Sequence, residues 1–181
     1  HMLRRGLMDK EVQARAAAIR LLVLDVDGVL TDGRIYYGNS GEELKAYNIK
    51  DGLGIKLLQG AGVTVAIITG RSSAIVQRRA SELGISEIIQ GREDKIVALQ
   101  QLTQRLTIDL SECAYMGDDL PDLAAIRAAG IGMTVADAAA TVAKHADWQS
   151  QCAGGQGAVR EACEYLLAAR DALGSPEQDY L

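Results

Sequence analysis

The 181-residue chain is short of cysteine, positive charge and long apolar runs, and each shortage closes off a class of function. Its three cysteines, Cys113, Cys152 and Cys163, are odd in number and lack metal-site spacing, which argues against a disulfide framework. They read as reduced thiols of a cytoplasmic protein, with Cys113 in the core. A net charge of -5 with no basic stripe argues against a nucleic-acid partner, because duplex binding is dominated by Lys and Arg contacts to phosphate. No apolar stretch approaches the ~20 residues that cross a bilayer, so no membrane insertion is expected. The first residues lack the sustained apolar segment and small-residue cleavage site of a signal peptide, and His1 ahead of Met2 resembles a cloning scar. Internal repeats and low-complexity segments are missing as well. What remains is an ordinary globular composition, 48% hydrophobic, expected to fold as a single domain over residues 1–181.

The most informative stretch is residues 21–33, an apolar run that ends in Asp25, Asp27 and Gly28. The run reads as a fully buried parallel strand. Buried strands exclude unpaired charge, so Asp25 belongs where the strand leaves the sheet, at the carboxyl edge where open α/β sheets bind ligands. Side-chain alternation lets Asp25 and Asp27 aim the same way, towards a cation or a phosphoryl group. Two aspartates and a glycine are also good turn formers, and this stretch alone leaves both readings open.

The chain in order predicts a helix over 8–19, the first strand, and then two β-prone runs, 34–37 and 42–49, around the turn-rich residues 38–41. Such a ribbon exposes Ile35, Tyr36, Tyr37 and Tyr47, and a second copy of the chain is the natural cover. A helix ending near Gly60 follows, then a strand over 62–68 that stops at Thr69, Gly70 and Arg71. Ser72 or Ser73 can cap the next helix, which stops at Gly84. A strand over 85–90, an amphipathic helix opening near Lys95 and a strand over 113–116 come next, the last ending in Asp118, Asp119 and Asp122. Pro121 suits the first turn of a helix to Ala129. A strand over 130–135, a helix over 136–143, an edge strand over 146–148, a flexible link over 154–157, a helix over 158–173 and a polar tail from 174 complete the reading. The alternation predicts an α/β fold, a parallel sheet with helices on both faces.

Polar clusters follow three strands directly, so Asp25, Asp27, Thr69 and Asp118 can converge at one sheet edge. Carboxylates gathered there repel one another unless a cation lies between them, and oxygen-only ligation favours Mg²⁺. Asp25 can attack phosphorus as a nucleophile, and Asp27 can protonate the leaving alcohol. Thr69 and Lys95 can hold phosphate oxygens. Singly, each has a plainer role: Thr69 as a cap, Lys95 as a solvated helix residue, Arg71 as a surface charge, Asp119 and Asp122 as helix N-terminal acids. His145 reads as structural. The plainer roles do not require these features to fall in this order on successive strand ends.

The four motifs, Asp25 to Val29, Thr69, Lys95 and Gly117 to Asp122, resemble those of the haloacid dehalogenase superfamily of phosphotransferases. The resemblance implies a Rossmann-like sheet, Asp25 as nucleophile, Asp27 as acid/base, Thr69 and Lys95 on the phosphate, and Mg²⁺ held by Asp25, Asp118 and the main-chain carbonyl of Asp27. Residues 38–43, 48–52, 67–71 and 154–161 bring the likeness closer to a capless branch that dephosphorylates 3-deoxy-D-manno-octulosonate 8-phosphate in lipopolysaccharide precursor biosynthesis. That implies a small hairpin (34–49) instead of a large cap, a homotetramer joined through the hairpins, and a tail (174–181) that in relatives reaches a neighbouring site. It makes Gly70, Arg71 and Lys50 candidates for substrate binding, since a cation must answer the sugar acid's own charge. A phosphatase for nine-carbon sugar acids and a non-enzymatic phospho-receiver domain are the rivals. A receiver puts its phosphorylated Asp on a later strand than its acidic pair, whereas here Asp-x-Asp comes first.

Overall fold

The computed structural model describes residues 2–171 and 177–181. In chain order its elements are α1 (Met2–Ala17), β1 (Leu21–Leu24), β2 (Tyr36–Tyr37), β3 (Glu43–Leu44), α2 (Ile49–Gly60), β4 (Thr64–Ile68), α3 (Ala74–Glu82) and β5 (Glu87–Ile89). They continue with α4 (Lys95–Leu106), β6 (Cys113–Met116), α5 (Leu123–Ala128), β7 (Ile131–Thr134), α6 (Ala140–His145), β8 (Trp148–Gln149) and α7 (Ala158–Ala169). Strands β5-β4-β1-β6-β7-β8 form one parallel sheet, and β2 and β3 pair antiparallel outside it.

β1 is the centre because it is wholly apolar and wholly buried, so both its faces can be covered. Its even residues Leu22 and Leu24 join a core with α1, α2, α3 and α7, and its odd residues Leu21 and Val23 join a second core with α4, α5 and α6. That two-sided split is strand alternation made three-dimensional. The chain builds β1, β4 and β5 outwards on one side and then returns to lay β6 against the other edge of β1. This switch in direction sets the loops after β1 and β6 side by side at the carboxyl edge, where a crevice opens.

Several expectations need correction. The hairpin strands are only two residues long, and the second arm stops at Leu44, because Asn48 accepts a hydrogen bond from the Lys50 N–H and opens α2 at Ile49. Tyr36, Tyr37 and Leu44 are exposed, but Tyr47 is half-buried against the core beneath the Arg79 guanidinium. α6 begins at Ala140, not at 136, since the preceding residues anchor loops: Asp137 accepts from the Gly154 N–H at 2.9 Å, and the Ala139 N–H donates to the Asp118 carbonyl at 2.9 Å. α7 stops at Ala169, and residues 172–176, where the longer helix and the start of the tail were expected, lie outside the described residues. Ser73 is the cap of α3.

The segment expected to be a flexible link is a packed wedge. The Gly155 N–H donates to the Val29 carbonyl at 3.0 Å, and a Cβ on Gly154 would collide with the Gly28 carbonyl oxygen. Gly154→Ala is therefore expected to lose about 1–3 kcal/mol of stability by overpacking, along with activity, because it pushes on the loop that carries Asp25 and Asp27. Gly60→Ala, where a Cβ meets nothing within 4 Å, is the control expected to be neutral. Thermal unfolding and rates of the two variants, measured side by side, check this.

Candidate active site

β1 hands the chain to Asp25, whose N–H still donates to the Met116 carbonyl at 3.0 Å, so the first carboxylate is fixed to the sheet. The loop then turns sharply, with the N–H groups of Val29, Leu30 and Thr31 all directed at the Val26 carbonyl. Thr31 Oγ1 accepts from Gly28 and Gly33 and ties the turn closed. Gly28 has φ +88°, and a Cβ there would occupy the position of the Asp118 carboxylate. Only glycine lets the loops after β1 and β6 approach this closely.

Above these loops lies a cleft of about 360 Å³ lined by Asp25, Asp27, Thr69, Gly70, Arg71, Lys95, Asp118, Asp119 and Asp122, among others. Of the residues expected to act on substrate or metal, all but Lys50 line it. Lys50 is exposed on the first turn of α2, and its carbonyl accepts from Arg160. Thr69 is buried at the end of β4, with its N–H donating to the Ile89 carbonyl. Arg71 Nη2 donates to Tyr37 Oη and Glu43 Oε1, both at 3.3 Å.

Lys95 stands at the first residue of α4, buried, with its Nζ 3.0 Å from Asp25 Oδ1 and 2.8 Å from Asp122 Oδ1. Burial would pull this ammonium down, but Asp25 and Asp122 outweigh it and keep it charged. Asp122 is more than the helix-terminal acid expected of it. Its Oδ1 accepts from Lys95 and from the Tyr115 hydroxyl at 2.7 Å, and its Oδ2 accepts from the N–H groups of Asp118 and Asp119. Its place three residues after Asp119 was the available signal. The partner Tyr115, inside β6, had none.

Carboxylate oxygens of Asp25, Asp118 and Asp122 lie within 4.8 Å of one another. With all three carboxyls ionised and Lys95 as the cation among them, the group would carry an excess of two negative charges, which a hard divalent cation would neutralise. Because both oxygens of Asp122 are already taken by hydrogen bonds, Asp25 and Asp118 are the side chains left to ligate it. The Asp27 carboxylate is not in this group, because its Oδ1 lies 2.6 Å from Lys45 Nζ. Sequence reasoning missed Lys45, which comes from the hairpin and carries no motif.

The crowding raises the acids' pKa values. Burial, then Asp122, pushes Asp25 well above the usual carboxylate range, against the pull of Lys95. Burial and Asp122 hold Asp118 at about 6. The folded chain thus keeps protons at a pH where the unfolded chain has released them, so the contribution of Asp118 to stability is present below its unfolded value and is lost as pH rises through about 6. A divalent cation held by Asp25 and Asp118 would take the place of those protons. Added Mg²⁺ is expected to raise the unfolding temperature more at about pH 8 than at about pH 5, which melting curves at the two pH values would check.

Comparison with known proteins identifies close relatives. The family model described as haloacid dehalogenase-like hydrolase matches residues 75–161. The chain is 46% identical over 168 residues, 93% of its length and 89% of theirs, to the 3-deoxy-D-manno-octulosonate 8-phosphate phosphatase KdsC of Escherichia coli. Among solved structures it is similar to the phosphatase of that name from Moraxella catarrhalis, in complex with magnesium ion, phosphate ion and KDO. The two share 48% identity with a TM-score of 0.94, over 95% of this chain and 99% of that one. The cobalt-bound form of the Haemophilus influenzae enzyme aligns at 38% identity with a TM-score of 0.85, over 88% of this chain and 93% of that one.

Proposed function

The chain belongs to the haloacid dehalogenase-like hydrolases, and on that premise we propose that it is a Mg²⁺-dependent phosphatase releasing phosphate from 3-deoxy-D-manno-octulosonate 8-phosphate. The observation that carries the reading is the division of labour between two carboxylates of one loop. Asp25 is gathered with Asp118 and Lys95, whereas Asp27 is held apart on Lys45. Asp25 and Asp118, with the Asp27 carbonyl, would hold Mg²⁺, which when bound neutralises phosphate charge so that a carboxylate can approach it.

Asp25 attacks phosphorus in line. As the new P–O bond forms, the bond to the sugar oxygen breaks, and Asp27 delivers its proton to that departing oxygen. Asp27, now a carboxylate, takes a proton from water, which attacks the aspartyl-phosphate and regenerates Asp25. Lys95 and Thr69 hold the phosphoryl oxygens through both steps, and the pairing of Lys95 with buried Asp122 keeps its ammonium aimed at them. Gly70 and Arg71, at the rim, answer the sugar acid.

The exposed Tyr36, Tyr37, Leu44 and Ile49 support assembly through the hairpins into a homotetramer. In that assembly Lys50, which does not line its own cleft, would serve a neighbour's. Three free cysteines suit a cytoplasmic setting, and among the described residues no helix is long and apolar enough to cross a membrane. Initial rates on a panel of sugar phosphates, with and without Mg²⁺, test the reading. It expects the eight-carbon acid to be turned over fastest and only with the metal. Faster turnover of nine-carbon acid 9-phosphates would overturn the substrate assignment.

A further inference from the structure

Lys45 comes from a hairpin whose neighbouring side chains Tyr36, Tyr37 and Leu44 are exposed, yet its own side chain has no exposure at all. An ammonium is enclosed in this way only when it is paired, and its partners are Asp27 Oδ1 at 2.6 Å and Glu43 Oε1 at 3.7 Å. Glu43 Oε1 in turn accepts from Arg71 Nη2, which also donates to Tyr37 Oη. One short hairpin therefore grips two loops of the cleft: the one after β1 through Asp27, and the one after β4 through Arg71.

We propose that Lys45 is the positioning residue of the acid/base carboxylate, holding Asp27 out of the Asp25–Asp118–Asp122 cluster and over the path of the departing oxygen. Strand alternation alone would let the Asp27 carboxylate turn the way Asp25 does, towards the cation, where it could not pass a proton to the leaving group. Lys45 acts through its single 2.6 Å contact to Asp27 Oδ1, which it makes equally when Oδ2 carries the proton to be delivered, and Glu43 and Arg71 brace it from behind. This rests on the phosphatase reading with Asp27 as acid/base.

The test compares two esters in the presence of Mg²⁺. The sugar acid phosphate leaves as an alkoxide that needs a proton, whereas the nitrophenolate of p-nitrophenyl phosphate leaves without one. kcat/KM reports only the steps up to that departure. Lys45→Met is expected to lower kcat/KM about 10²-fold on the alkyl ester and within about threefold on the aryl ester. Lys45→Arg, which keeps a buried cation and hence the fold, displaces the head group and is expected to show the same selectivity at about tenfold. A merely structural lysine would reduce both esters alike, and equal losses in either variant would overturn the proposal. If the unaltered chain turned over neither ester, the phosphatase reading would fail and this proposal with it.

Discussion

Asp25→Asn is expected to abolish turnover while leaving the chain folded. An amide cannot form the acyl-phosphate, and loss of a nucleophile costs about 10⁴-fold or more in kcat, equivalent to about 5.4 kcal/mol of transition-state stabilisation. The fold should survive because the carboxylate it replaces is an electrostatic burden. Asp25 is buried beside Asp122 and Asp118, and its pKa is driven well above the usual range. A neutral amide removes a repelling charge and leaves Lys95 paired with Asp122. The variant should therefore unfold at or above the temperature of the parent when no divalent cation is added. Activity within tenfold of the parent would mean that Asp25 is not the group attacking phosphorus.

Asp122→Ala has the second largest expected effect, and it falls on stability and activity together. The carboxylate satisfies an ammonium, a phenol and two main-chain N–H groups in an interior where water cannot replace it. Removing one partner of a buried ion pair costs about 3–5 kcal/mol. Activity should fall about 10–100-fold or more, since Lys95 is left to pair with Asp25 alone and the loop bearing Asp118 loses its anchor. Tyr115→Phe removes just one of the four hydrogen bonds and should cost about 1–2 kcal/mol with little change in kcat. Denaturant unfolding and steady-state rates of the two variants separate anchoring from catalysis. A well-folded, fully active Asp122→Ala would show the network to be dispensable.

Most of the catalytic edge was legible because its signals are local. A buried apolar run that ends in Asp-x-Asp, and two further strands that end in Thr69 and Asp118, specify their places once alternation makes the sheet parallel. The remainder depended on through-space partners that carry no local signal. Lys45 meets Asp27 across 18 residues, a distance set by how far the hairpin folds back. Asp122 looks like a helix-terminal acid in sequence and is one, but burial against Tyr115 and Lys95 gives it its larger role. Gly154 and Gly155 read as a flexible link because glycine is permissive, whereas here the missing side chain is what lets two loops touch. α6 starts late for a related reason: Asp137 and Ala139 spend their hydrogen bonds on the loops of the cleft.

In the proposed mechanism Asp25 carries the phosphoryl group and Asp27 handles the protons. Asp27→Asn, mixed with p-nitrophenyl phosphate and Mg²⁺ and quenched in acid, tests it most directly, because the aryl group can leave unassisted while the water of the second step goes unactivated. The prediction is a burst of about one nitrophenolate per active site followed by a slow phase, with the phosphoryl group found by mass spectrometry on the peptide containing Asp25. Turnover without a burst, or a phosphoryl group on any other residue, would contradict it.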